Sequence, residues 1–208
     1  MAESPAESSG GLVRLSISSG GQAIDDAIGI DSVEITKRIN RIPTATIHVQ
    51  DGNMPDQEFP LSSSDTFKPG SEIVIEAGYE QGAVDETIFE GVVVSHGISI
   101  TGKNVTRLVV ECRDKAVGMT IGRHNANYVD LADSDIISKL VGDYAGLSVD
   151  VAATTPSHGE LVQYYCTDWD YLMARAEVNG LLVIVEGGTI SVKAPAVSSS
   201  PVPEVGYG

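Results

Sequence analysis

Basic residues are scarce in this chain. Over 208 residues, 13 Lys and Arg stand against 29 Asp and Glu, for a formal charge of −16 and a sequence pI of about 4.4. Nucleic acid and anionic lipid both require a basic face, so neither is expected as a partner. Aromatics are equally thin, 5% of residues with a single Trp. The core therefore falls to Val, Ile, Leu and Ala, and Val and Ile favour pleated strands. Two cysteines, Cys112 and Cys166, do not make a disulfide framework, and the sequence leaves their pairing open. Cys112 closes the apolar run Leu108-Val109-Val110-Glu111-Cys112 and reads as a small core residue. No run approaches the roughly 18 apolar residues of a membrane helix. Residues 1–11, rich in Ser, Gly, Ala and Glu, lack the basic and apolar regions of a cleaved leader and read as a tail.

What is present is 42% hydrophobic residues, patterned with period two, and 22 Gly and 9 Pro to turn the chain. Val13, Leu15 and Ile17 alternate with Arg14, Ser16 and Ser18. Val33 and Ile35 do the same, and so do Ala45, Ile47 and Val49, closed by the turn pair Asp51-Gly52. A long connection to Pro69-Gly70 follows, then strands at Ile73–Ala77, Ile88–Ser95 and Leu108–Cys112. The spacing predicts an antiparallel barrel or sandwich. Near residue 125 the period changes. Asp133 can cap a helix with an apolar stripe at Ile136, Ile137, Leu140, Val141 and Tyr144, stopped at Gly146. Thr167-Asp168 signals a second, with Trp169, Leu172, Met173 and Ala176 inward and Asn179-Gly180 at its end. Gly187-Gly188 then suits the two-residue turn of a hairpin. The expected fold class is mainly β with a smaller α+β part. The division is a tail at 1–11, a barrel-like domain at 12–122, a lobe with two helices at 123–195 and a linker at 196–208.

The order of these pieces resembles the amino-terminal region of VgrG and phage baseplate hub proteins. The likeness rests on Arg38-Ile39-Asn40-Arg41-Ile42-Pro43-Thr44-Ala45 with Asp51-Gly52, on Phe67-Lys68-Pro69-Gly70 before Gly78-Tyr79, and on Phe89-Glu90-Gly91-Val92-Val93. Its strongest stretch is Gln163 to Leu172, with Arg175-Ala176-Glu177 and Asn179-Gly180. The resemblance implies a structural hub subunit of a contractile injection system: type VI secretion, a phage tail or an extracellular particle. It implies a homotrimer whose tube-mimicking barrels offer a platform to a hexameric inner-tube ring, with spike, baseplate and effector cargo as partners. It implies assembly in the producing bacterium's cytoplasm into a particle that is released or anchored. Family members continue into a second barrel, an oligonucleotide/oligosaccharide-binding-like neck and a β-helical spike. The alternative is a standalone β-rich module that binds carbohydrate or protein.

The motif residues also have scaffolding readings. Asn40 and Pro43 set a bend, Pro69-Gly70 a turn, Asp168 a helix cap and Trp169 a core anchor. No enzyme is expected, nor any cofactor or metal. Cys166, His158 and Asp168 have the residue types of a nucleophile, base and orienter without a supporting motif. Asp130, Asp133 and Asp135 lack the Gly and closing Glu of a calcium loop, and Asp51, Asn53 and Asp56 are interrupted by Pro55. The four histidines show no metal-ligand spacing. Ten acids lie between Asp51 and Glu90 against one base, Lys68. Within this belt Glu72, Glu76 and Glu80 are the candidate tube-contact residues, although a solvated surface accounts for them equally.

Overall fold

The computed structural model describes residues 13–25, 27–52, 58–79, 86–100 and 106–196. Period-two patterning lays seven strands into one antiparallel sheet: β1 (Val13–Ser19), β2 (Gln22–Ala23), β3 (Ile30–Thr36), β4 (Thr44–Gln50), β5 (Glu72–Tyr79), β6 (Glu86–Ile100) and β7 (Thr106–Arg113). Their order is β2-β1-β5-β6-β7-β4-β3. Alternate residues such as Ile17, Ile47, Ile73, Ile75, Phe89, Leu108, Val110 and Cys112 form a single buried cluster. β1 and β4 lie near opposite ends of the order, yet both feed that cluster, and Val33 and Ile35 of edge strand β3 pack against it. The sheet is therefore rolled on itself, which is how a one-sided apolar sheet covers its own face. Phe67, from the connection between β4 and β5, is fully buried in the same cluster.

β6 runs well past the expected Ser95. The register shifts between Val93 and Ser95, after which Ser95, Gly97, Ile98, Ser99 and Ile100 are exposed. The bulge breaks the alternation that would have shown the strand continuing.

The second half contains a 3-10 helix (Lys115–Thr120), β8 (His124–Tyr128), β9 (Leu131–Ala132), α1 (Asp133–Gly142), β10 (Ser148–Val151), β11 (Ser157–His158), β12 (Leu161–Cys166), α2 (Asp168–Val178), β13 (Leu182–Glu186) and β14 (Thr189–Lys193). α2 starts where the sequence placed it, whereas α1 begins one residue early, with Asp133 as its first residue, and ends at Gly142, short of the expected Tyr144 and Gly146. Ile136, Ile137, Leu140 and Val141 of α1 and Trp169, Leu172 and Ala176 of α2 are buried together with Val183, Val185, Ile190 and Val192 of the β13–β14 hairpin. Both turn glycines of that hairpin, Gly187 and Gly188, have positive φ, 53° and 76°, as a primed two-residue turn requires. This second core also takes in Ala116 and Met119, on the near side of the division expected at 122. Asp114 is the reason: it ends β7 and caps the 3-10 helix by accepting from the Ala116 amide at 2.8 Å. The chain enters the lobe there. The fold class is the one read from the sequence, mainly β with a smaller α+β part. No helix among the described residues is long and apolar enough to cross a membrane.

Candidate assembly surface

The strongest constellation outside the two cores is the seam between them. The link from β3 to β4 crosses to the lobe at Asn40, whose φ is 61°, a left-handed conformation that Asn tolerates. Its backbone N–H donates to the Val183 carbonyl at 2.7 Å, and its side-chain Oδ1 accepts from the Val183 N–H at 2.9 Å. Asn40 thus occupies one step of the free edge of β13. Lys37 pairs with Glu186 at 2.7 Å, and Ile42 packs on the lobe core. Pro43 is buried, and its carbonyl accepts from the Asp114 N–H at 3.0 Å. Asp114 also accepts from the Gly188 N–H at 3.0 Å. Asn40 and Pro43 therefore do more than bend a strand: with Asp114, they fasten two cores into one body.

Asp51 is buried, and its carboxylate accepts from the amides of Leu61 at 3.1 Å and Ser62 at 2.8 Å. Asp51-Gly52 folds down a long connection and does not close a hairpin. Pro69-Gly70 turns the chain into β5: the Gly70 N–H donates to the Val93 carbonyl at 2.8 Å, and the Val93 N–H to the Ser71 carbonyl at 2.9 Å. Of the glutamates proposed for tube contact, Glu72 already holds Lys115 at 2.9 Å, and Glu76 is half-buried beside the Ser16 hydroxyl. Glu80 lies outside the described residues, as do Asn53 and Asp56. Lys115 also reaches Glu90 at 3.4 Å. The hydrogen bond that Lys115 donates to Glu72, then the Glu72 charge and the Glu90 contacts, hold the Lys115 ammonium above its ordinary pKa against the effect of burial.

Within the lobe, two buried carboxylates sit at helix starts. Thr167 is the cap of α2, accepting from the Asp170 N–H at 3.0 Å. Asp168 turns inward instead, because the first helical position already lies over the core. It accepts from Gln163 at 2.6 Å and from the Tyr144 hydroxyl at 2.7 Å, and His124 Nδ1 lies 3.1 Å away. Asp133 likewise does not cap α1, where Ala132 occupies the cap position and Thr154 Oγ1 accepts from the Ser134 N–H at 2.8 Å. Asp133 meets His158 at 3.0 Å, Asn179 at 2.8 Å and Arg175 at 3.5 Å. Burial alone would raise the Asp133 carboxyl. Hydrogen bonds from Asn179 and His158, with the charges of His158 and Arg175, outweigh it and hold the pKa below the usual value. His158 is thus committed to Asp133 while Asp168 faces His124, so the Cys166–His158–Asp168 arrangement is not assembled. Cys112 and Cys166 are both free thiols, and burial pushes the Cys112 thiol up to about 12. Among the described residues, no group of His, Cys, Asp and Glu is arranged to hold a metal ion.

Sequence reasoning missed one exposed feature. β8 and β12 form a two-stranded ribbon with an irregularity between Gln163 and Cys166, and there Tyr165 takes a positive φ of 46°. Tyr164 is 82% exposed beside Val162, Asn125 and Asn127, and Arg123 lies 5.2 Å over the Tyr165 ring. The polar run His124-Asn125-Ala126-Asn127 gives no alternation by which to find the strand.

Over residues 9–208 the chain matches the family described as the Alg8 N-terminal domain. The comparison with curated proteins gives no match. Among solved structures it is similar to the 43 kDa tail protein of prophage MuSo2 from Shewanella oneidensis, at TM-score 0.65 and 14% identity over 88% of this chain and 53% of that one. It is similar to a tail protein from Neisseria meningitidis, at TM-score 0.65 and 17% identity over 91% and 52%. It is similar to the c3393 protein of E. coli, at TM-score 0.60 and 13% identity over 86% and 48%. That protein is described as a type VI secretion component with structural similarity to the T4 bacteriophage tail proteins gp27 and gp5. The chain spans about half the length of these proteins. At such identities the likeness is one of fold.

Proposed function

We propose, for a chain that belongs to the Alg8 N-terminal domain family, a structural role as hub subunit in the baseplate or tail of a contractile injection machine. In this reading the rolled sheet forms part of a trimeric platform that receives the inner tube, and the lobe braces it from the side. The single observation that carries the reading is the shared fold: the chain matches a prophage tail protein over 88% of its length and a second tail protein over 91%. A type VI secretion component matches over 86%. The locked seam supports it, since a subunit that transmits load between tube and spike must act as one rigid body. Glu72 is engaged by Lys115, and in this reading the belt glutamates Glu76 and Glu80 tune contact with a basic face of the tube.

Sedimentation of the purified chain tests this. A mass three times 21.8 kDa at micromolar concentration is the expected outcome, together with co-sedimentation on isolated tubes. A monomer at every concentration, with no tube binding, counts against it. A carbohydrate- or protein-binding module is the second reading, favoured by the exposed Tyr164 beside the Asn125 and Asn127 amides. Saturable quenching of tyrosine fluorescence by an oligosaccharide, without tube binding, would select it.

A further inference from the structure

The seam presents a basic knob on an acidic protein. The Arg41 N–H donates to the Arg38 carbonyl at 3.2 Å, so Arg38-Ile39-Asn40-Arg41 is a closed β-turn. Its two Asn40–Val183 hydrogen bonds fix it to the lobe. Ile39, at the second turn position, is 56% exposed, and Arg38 and Arg41 flank it, both exposed. Other cations are engaged within the chain: Lys37 with Glu186, Arg107 with Asp31, Lys115 with Glu72, Arg175 with Asp133, and Arg123 and Lys139 over tyrosine rings. The side chains of Arg38 and Arg41 have no such partner among the described residues, and neither does exposed Arg113, which sits opposite Thr44 at the same end of the sheet. A rigid turn that offers one apolar side chain between two unspent guanidinium groups has the composition of an interface anchor.

We propose that this turn docks on a second copy of the chain, against the outer face of α2. The occupant follows from charge: with a net −16, another copy is an acid-rich surface that is necessarily present wherever this one assembles. The outward stripe of α2 is Asp170, Ala174, Glu177 and Val178, all exposed, and Val178 is 66% exposed. Neither carboxylate of that stripe has an ion-pair partner among the described residues. Asp170 and Glu177 stand about 10 Å apart along the helix, a span that two arginine side chains on one turn can bridge, and Ala174 leaves room between them for Ile39. Because the turn and the helix face are different surfaces, the contact is head-to-tail, the type that closes rings. The inference rests on the trimeric reading given above and names its contact.

The experiment is sedimentation of four proteins with their melting temperatures: wild type, Arg38→Glu with Arg41→Glu, Asp170→Arg with Glu177→Arg, and all four substitutions combined. Expected are a wild-type trimer, dissociation constants raised roughly 30-fold or more by either reversal, and recovery of the trimer in the combined variant. A trimer unaffected by reversal, or no recovery in the combination, overturns this contact and leaves the hub reading standing. A wild-type monomer overturns both. If the Glu variants fail to fold, Arg38→Gln with Arg41→Gln is read instead: a weakened trimer at unchanged melting temperature supports the contact, and an unweakened one overturns it.

Discussion

Asp168 is 4% exposed, yet each of its oxygens is answered by a donor from Gln163, Tyr144 or His124. Gln163 is itself held through its Oε1 by the Tyr128 hydroxyl at 2.9 Å. Truncation leaves the buried Gln163 amide and the half-buried Tyr144 hydroxyl without their acceptor, so Asp168→Ala is expected to cost about 2–3 kcal/mol in urea unfolding. Asp168→Asn should recover only part, because an amide offers one accepting oxygen where the carboxylate answers Gln163 with one and Tyr144 with the other. Tyr128 supplies a pH signature. Burial, with the Asp168 charge next, pushes its phenol from 10.0 up to about 12. Between those values the unfolded chain has released a proton that the folded chain still holds. This part of the stability is therefore complete below pH 10 and lost as pH rises towards 12. Tyrosinate absorbance against pH, folded and in urea, measures the gap. Sequence alone reads Asp168 as a helix cap and Trp169 as a core anchor. It could not show which way Asp168 points, because both Thr167 and Asp168 are good caps and only the packing of α2 on the lobe core decides between them.

Among the elements, those with a strong period were legible: the strands of the rolled sheet, both helices and the hairpin β13–β14. The elements that escaped have no period. β8 gives the core only Ala126 and Tyr128, too few to show a period, β10 pairs in parallel with a strand more than thirty residues later, and β6 continues beyond a bulge. Glycine was legible as a turn marker but not as a spacer. At Gly91 a Cβ would lie 2.2 Å from the Arg113 carbonyl oxygen, so the close approach of β6 and β7 depends on its absence. At Gly188 the φ is 76° and a Cβ would meet the Gly146 carbonyl oxygen at 2.8 Å. Gly188→Ala therefore combines backbone strain with a clash against backbone, and is expected to cost roughly 2–3 kcal/mol. Gly180→Ala, with φ of 64° and nothing within 4 Å, should cost only about 1 kcal/mol. Thermal melts of the two variants side by side give the comparison.

At the scale of the whole molecule, two cores are joined by few contacts of high value. Asn40→Ala removes one hydrogen bond and the tolerance for positive φ, at an expected cost of about 1–2 kcal/mol. Asn40→Gly should cost less, since it keeps the backbone conformation. The more telling readout is cooperativity. Trp169 is the only tryptophan and lies in the lobe core, so its fluorescence follows the lobe, while hydrogen exchange at the paired amides of β4 and β7 follows the sheet. The two transitions should coincide in the wild type and separate in Asn40→Ala. The motif around Asn40 was visible in the sequence, but its partner was not, because the donor it satisfies lies 143 residues away. That separation has a consequence during synthesis. At about 5–20 residues per second, the Asn40 turn waits roughly 7–30 s on the ribosome before Val183 exists to hold it. Until then the arginines it carries are on a turn that nothing in the lobe holds. The clasp thus makes the geometry of the turn conditional on the β13–β14 hairpin having been made, a local shape decided by a segment synthesised much later.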